Sequence, residues 1–368
     1  MSPFMFSNIP LFTLIVTCYY ELMVNLDDVD EIKKLDPKNV LGSTGMFVSQ
    51  CRQIWELSKQ ITFPDSYKQI KNIVVCGMGG SSYGGRISLP LFKAELPVPI
   101  YTNDDYHLPA YVNQDTLIIL SSYSGTTEET LSCAKESLER KAKIIGLTSG
   151  GQLGEFFKNN NLPALIFEPK YNPSGQPRLG TGYTVFGAIS ILNKLGLVVV
   201  NDDVTVILDS LEKQQEEIKN KAIEIARLIY GRIPVIFAAE FLKGNAYIMR
   251  NQSNETAKSF SAFSELPDLN HHLMEGLKNP PDKKLFVLFL SSDLYSDRMK
   301  KRVELTKDVV GKNNVLFDEY KASGSSRLAQ VLNVLSFGGY LTYYLAIAYG
   351  QDPSVIPWVD YFKEQMEK

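Results

Sequence analysis

Histidine is scarce in this chain, with three in 368 residues. That argues against a metal centre built on histidine and leads us to expect no metal and no other cofactor. The four cysteines, Cys18, Cys51, Cys76 and Cys133, show neither CxxC spacing nor a paired framework. A zinc ribbon and a disulfide scaffold are therefore excluded, and reduced thiols in the cytoplasm are expected. An excess of positive charge is also missing: 38 Lys and Arg face 41 Asp and Glu, for a net charge of -3. No basic field gathers nucleic acid or an anionic membrane, so an anionic substrate has to be caught locally. Charge is absent altogether from Phe4 to Tyr20. That run has no basic flank, contains Pro10, leads to no small-residue cleavage pattern and is short against the roughly 20 residues of a bilayer span. Residues 1–25 read as a leader, with translation starting at Met23; a targeting segment and an ordinary apolar extension are the other readings. Low-complexity segments and short-period repeats are lacking as well.

What is present is an alternation. Lys71 to Cys76 is a β-rich apolar run ending in glycine, and Pro99–Thr102, Thr116–Leu120, Lys143–Thr148 and Ala164–Phe167 are similar runs. Segments of helical length, such as Glu128–Arg140, lie between them. Strands alternating with helices predict a parallel sheet covered on both faces. The pattern restarts after a charged helix near Leu208–Tyr230, with a strand at Pro234–Ala239, a helix at Ala246–Phe263, strands at Leu285–Leu290 and Val315–Phe317, and a closing helix at Leu328–Tyr349. The length exceeds what one core usually covers. The expected fold is thus α/β, two doubly wound, flavodoxin-like parallel-sheet domains with flanking helices. The divisions are a helical segment at 26–66, a first domain at 67–200, a connecting helix at 201–230, a second domain at 231–350 and a C-terminal helix at 351–368.

Two loops of the first unit carry chemistry. Gly77-Met78-Gly79-Gly80-Ser81-Ser82-Tyr83-Gly84-Gly85 follows a strand, where glycines let backbone approach a ligand. It lacks the lysine of a nucleotide P-loop, and Ser82 stands where a dinucleotide loop needs its third glycine. A turn that only packs helix on sheet is the bland reading. Ser121-Ser122-Tyr123-Ser124-Gly125-Thr126-Thr127-Glu128-Glu129 follows another strand. Thr126 and Glu129 are spaced as a capping box, so a helix N-terminus ringed by Ser122, Ser124 and Thr127 is expected, a phosphate site without a lysine. A well-capped Ser/Thr turn is the alternative.

Together these loops resemble the sugar isomerase (SIS) family, whose phosphosugar-binding domain pairs a glycine-serine loop with a Ser-x-Ser-x-x-Thr loop. Four later segments resemble the bifunctional phosphoglucose/phosphomannose isomerases: Gln176-Pro177-Arg178, Asn251 to Lys258 around Glu255, Leu266 to His272 around His271, and Asp360-Tyr361-Phe362-Lys363. The likeness runs from about Leu26 to the C-terminus, and the leader has no counterpart in it. Two positions depart from the family pattern: Asn270-His271-His272 stands for Asn-His-Asn, and Gly125-Thr126-Thr127 for Gly-Asn-Thr.

The resemblance implies an aldose-ketose isomerase acting on glucose 6-phosphate and mannose 6-phosphate, a homodimer that shares its active sites. It implies Glu255 as the base between C2 and C1, His271 from the neighbouring subunit as ring opener, Arg178 as the support for enediolate charge, and Lys363 as a ligand of substrate oxygens. Substrate binding falls to Gly79, Gly80, Ser81, Ser122, Ser124, Thr127, Arg178 and Lys363. Read alone, Glu255 is a helix surface charge, Arg178 a surface ion pair, His271 a loop histidine and Lys363 a solvated lysine. The rival reading is a phosphosugar sensor of the same fold, which needs the phosphate loops but no acid-base pair.

Overall fold

The computed structural model describes residues 23–366 and 368; most of the leader lies outside the described residues. Helices α1 (Val29–Leu35), α2 (Val40–Gly45) and α3 (Phe47–Ser58) open the chain. Strands β1 (Asn72–Cys76), β2 (Ile100–Asn103), β3 (Thr116–Ser122), β4 (Lys143–Thr148) and β5 (Ala164–Ile166) then form one sheet, interleaved with α4 (Tyr83–Leu91), α5 (Glu128–Glu139) and α6 (Gly151–Asn159). The pairing is parallel throughout, in the order β2-β1-β3-β4-β5. This is the flavodoxin-like order, which reverses direction between β1 and β3 and leaves a crevice outside their carboxyl ends.

Buried on both faces, the central strands divide their side chains between two cores. Val74, Ile118, Leu120 and Ile144 pack with Cys133, Leu153 and Phe157 of α5 and α6. Ile73, Val75, Leu117 and Ile119 point the other way, toward Ile54 of α3 and Ile189 of α7 (Gly187–Lys194). That inner core continues without a break into the second half.

Helix α8 (Val204–Ile229) leads to the second sheet: β6 (Ile233–Ala239), α9 (Lys243–Glu255), β7 (Ala262–Leu266), α10 (Leu273–Gly276), β8 (Leu285–Ser291), α11 (Asp297–Lys312) and β9 (Leu316–Lys321). Its strands are again all parallel, ordered β7-β6-β8-β9. Helix α12 (Arg327–Ala348) is long and apolar enough to cross a bilayer, but its apolar window is entirely buried as a core helix. Helix α13 (Pro357–Met366) closes the described chain and buries no residue.

One element differs from the sequence expectation. The helix expected over Ala246–Phe263 ends at Glu255, and Ala262–Leu266 is an edge strand paired with β6. No proline or glycine marks the break; Lys258 makes it by adopting φ 51°, in the left-handed region. The first four residues of β7 are half-buried and only Leu266 is buried, which blurs the alternation by which a strand is read.

Candidate active site

The loops after β1 and β3 meet at the crevice of the first sheet. Ser81, buried at the end of the glycine loop, accepts the Tyr123 amide through Oγ at 3.0 Å and so ties the two loops together. Gly79 sits at φ 48° with nothing within 4 Å of where a Cβ would lie, so this turn faces open space. Gly80 instead presses on the backbone of Arg178, its imaginary Cβ 3.4 Å from that residue's Cα.

In the second loop Ser122 Oγ accepts the Gly125 amide at 3.1 Å and lies 2.9 Å from Thr127 Oγ1. Ser124 is exposed and pairs with Thr126 Oγ1 at 3.0 Å. The expected Thr126–Glu129 capping box is not formed. Thr127 is the cap residue and no side chain caps the helix amides, because Thr126 is engaged with Ser124 and Thr127 with Ser122. The first amides of α5 are therefore free of side-chain partners, and a helix N-terminus in that condition favours an anion. Gly125 turns the loop at φ 73°, and a Cβ there would lie 1.8 Å from the Gly150 carbonyl oxygen. Gly125→Ala is expected to destabilise the protein by about 2–4 kcal/mol. Urea unfolding tests it; a midpoint equal to that of the native protein would refute the close approach.

Arg178 enters from a short 3₁₀ turn, Pro177–Leu179, preceded by Pro173 and Gly175. Gln50 of α3 holds this loop: its amide donates to the carbonyls of Tyr171 and Leu179, each at 3.0 Å, and its Oε1 accepts the Gly182 amide at 3.0 Å. The Arg178 side chain is 2% exposed. Its Nη2 donates to the carbonyls of Pro353 and Ser354, both at 2.8 Å, and Nη1 donates to Gln176 Oε1 at 3.0 Å. Nη1 also lies 3.6 Å from Glu255 Oε1.

Glu255 is the last residue of α9, where the helix reaches the amino-terminal edge of the second sheet. Burial pushes its carboxyl above the ordinary carboxylate range, while the charges of Arg178, Lys363 and Lys258 pull the other way. Burial likewise lowers the basicity of Arg178, with Glu255 as its main counter-charge. Tyr83, fully buried at the start of α4, lies beside this pair. Burial and then the charge of Glu255 push its phenol up. Lys363 is exposed on α13, close enough for its charge to act on Glu255.

His271 is not brought to this group within one chain. Helix α9 runs from the carboxyl end of β6 back to Glu255, and β7 then climbs parallel to β6. Glu255 and the turn Asp268–His271 thus sit beyond opposite edges of the second sheet, about 16 Å of β7 apart. Asn270 anchors that turn to α11 through Thr306 Oγ1 at 2.8 Å, and His271 is exposed. His272 turns aside to Asp268 Oδ2 at 3.2 Å.

The second sheet has its own crevice between β6 and β8, and this one is filled. Glu240, at φ 43°, occupies a position after β6 like that of Gly79 after β1. Its Oε1 accepts the Ser296 hydroxyl at 2.6 Å and the Ser296 amide at 3.2 Å, at the N-terminus of α11. One half of the molecule therefore keeps its glycine turn open, while the other closes its equivalent with a carboxylate.

Comparison with known proteins fits this geometry. Residues 66–158 match the SIS domain family and residues 218–366 the bacterial phospho-glucose isomerase C-terminal SIS domain. The bifunctional phosphoglucose/phosphomannose isomerase of Caldicellulosiruptor bescii is 32% identical over 335 residues, covering 86% of this chain and 96% of that protein. The chain belongs to this isomerase family. The phosphoglucose/phosphomannose isomerase of Aquifex aeolicus is 35% identical over 301 residues, 81% of this chain and 91% of its own. Among solved structures, a hypothetical protein of Thermus thermophilus shares the fold with a TM-score of 0.72 at 15% identity, covering 98% of this chain and 97% of that one.

Sequence reasoning missed Gln50, Tyr83 and Lys258. Each is a polar residue in or beside a helix, and nothing local marks it as packed near Arg178 or Glu255.

Proposed function

We propose that the protein interconverts glucose 6-phosphate and mannose 6-phosphate with fructose 6-phosphate by proton transfer through a cis-enediol, working as a cytoplasmic homodimer. The observation that carries this reading is the pairing of buried Arg178 with half-buried Glu255 beside the open turn at Gly79 and Gly80. The phosphate rests on the α5 amides with Ser122, Ser124 and Thr127, and the Ser81 turn completes the cradle. Glu255, whose basicity is raised by burial, takes the proton from C2 and returns it to C1. Arg178 faces the enediolate oxygens with a charge that is already desolvated and fixed. Lys363 reaches substrate oxygens from α13. The buried free thiols Cys51, Cys76 and Cys133 suit a reducing compartment.

Ring opening needs a group that moves a proton between the ring oxygen and O1, and we assign that role to the His271 imidazole. Since it lies across the sheet from Glu255 in its own chain, His271 of the partner subunit supplies this step. The aromatic face of α13, with Trp358 82% exposed, is available to a second subunit.

The test follows fructose 6-phosphate formation from each aldose phosphate in EDTA. Turnover supports the reading; saturable binding without turnover sinks it in favour of a sensor. For the shared site, Glu255→Gln and His271→Asn proteins are prepared separately, each nearly inactive, and mixed under subunit exchange. In a two-fold dimer about a quarter of the sites then regain both groups, so about a quarter of native activity returns. No recovery despite proven exchange would place both groups in one chain.

A further inference from the structure

Lys258 has no part in the chemistry above, yet its charge acts on the base and its ammonium is held by two backbone carbonyls. It lies three residues past Glu255 and breaks the helix with its left-handed φ of 51°. A non-glycine residue there is strained and persists only where its surroundings hold it. The side chain does the holding. Nζ donates to the Thr256 carbonyl at 3.0 Å and to the Asp352 carbonyl at 2.5 Å.

Asp352 begins a run of three carbonyls, and the other two, of Pro353 and Ser354, are those that accept Arg178 Nη2. One turn is therefore gripped by two cations, one from each half of the molecule. The Asp352 carboxylate is turned inward, accepting the Ser354 amide at 2.7 Å and hydroxyl at 2.6 Å. Beyond the turn the chain becomes α13, which carries Lys363.

We propose that Lys258 is a positioning residue for the isomerisation: it fixes the 352–354 turn, and with it the approach of Lys363, and sets a positive charge behind Glu255. This rests on the reading of Glu255 as the base. Burial pushes the Lys258 ammonium down to about 8, with Arg178 adding to the effect and Asp352 and Glu255 opposing it. The charged groups facing it are thus Glu255 on α9, Arg178 on the loop after β5 and Asp352 on the turn, while Lys363 on α13 acts on the same carboxylate. As pH rises through about 8 the charge is lost, the Glu255 carboxylate loses one of its three cationic neighbours, and activity falls.

The experiment uses the full chain with Lys258→Gln and Lys258→Arg. The Glu255 carboxyl titration is followed by carbon-13 NMR and assigned with Glu255→Gln. In Lys258→Gln the Glu255 midpoint is expected to rise by about half a pH unit or more, and in Lys258→Arg to return toward native. In kcat/KM, Lys258→Gln is expected to lose about 10–100-fold. Lys258→Arg should keep activity to about pH 10, because a guanidinium does not titrate there. A near-native thermal midpoint for Lys258→Arg confirms that the variant is folded. An unmoved Glu255 midpoint in folded Lys258→Gln overturns the proposal, as does a native alkaline limb in Lys258→Arg. If the native protein turns over no sugar phosphate, the isomerase reading fails by itself, and the NMR midpoint still decides whether Lys258 acts on Glu255.

Discussion

Glu255→Gln is expected to lower kcat by about 10³-fold while leaving the KM for fructose 6-phosphate within a few-fold. The amide keeps the size of the carboxylate and still presents an oxygen toward Arg178, which lies 3.6 Å away. What it loses is the ability to take a proton from carbon, a capacity needed in the transition state and not in the ground state. The native pH profile should carry the same signature. Burial raises the Glu255 pKa, and the base works only when ionised, so kcat/KM should fall as pH drops through a value above the ordinary carboxylate range. Steady-state kinetics on both aldose phosphates between pH 5 and about 10 is the measurement. A Glu255→Gln protein within tenfold of native, or an acid limb at the unperturbed carboxylate value, would remove Glu255 from the chemistry.

Arg178→Lys is the second large effect, and it falls on stability and rate together. The guanidinium reaches two carbonyls, the Gln176 amide oxygen and Glu255 from one planar group, with its side chain 2% exposed. An ammonium keeps the charge but cannot span that fork. Leaving the Pro353 and Ser354 carbonyls without their donor is expected to cost about 2–4 kcal/mol in urea unfolding. Loss of the aligned charge is expected to lower kcat/KM by about 10²–10³-fold. The loop is held by Gln50 independently of the arginine, so the variant should remain folded enough to assay. Native-like stability together with native-like turnover would show that the fork has no role beyond charge.

The parts of this architecture that could be read from sequence are those written locally. The Ile73–Val75 and Leu117–Leu120 runs announce strands buried on both faces, and the glycine and Ser/Thr segments after them announce the loops that meet at the crevice. The limits appear where a long-range contact overrides a local signal. Residues 256–266 carry no breaker, yet Lys258 leaves the helix because a carbonyl 94 residues away receives its ammonium. Thr126 and Glu129 have capping-box spacing, yet Ser124 claims the Thr126 hydroxyl and dissolves the box. Resemblance marked His271, but its place across the sheet from Glu255 follows only from strand order. Gln50 gave no signal at all, since a helical glutamine with three buried bonds looks like one in water.

Glu240 bears on how many sugar phosphates one chain can hold. A carboxylate tethered by its own backbone competes with free phosphate as an intramolecular ligand, at an effective concentration in the millimolar range or above. Phosphate in solution would have to displace it from Ser296 while gaining nothing from the glycine turn that exists only after β1. Titration with fructose 6-phosphate should therefore saturate at one equivalent per chain, although the fold is built from two units of the same design.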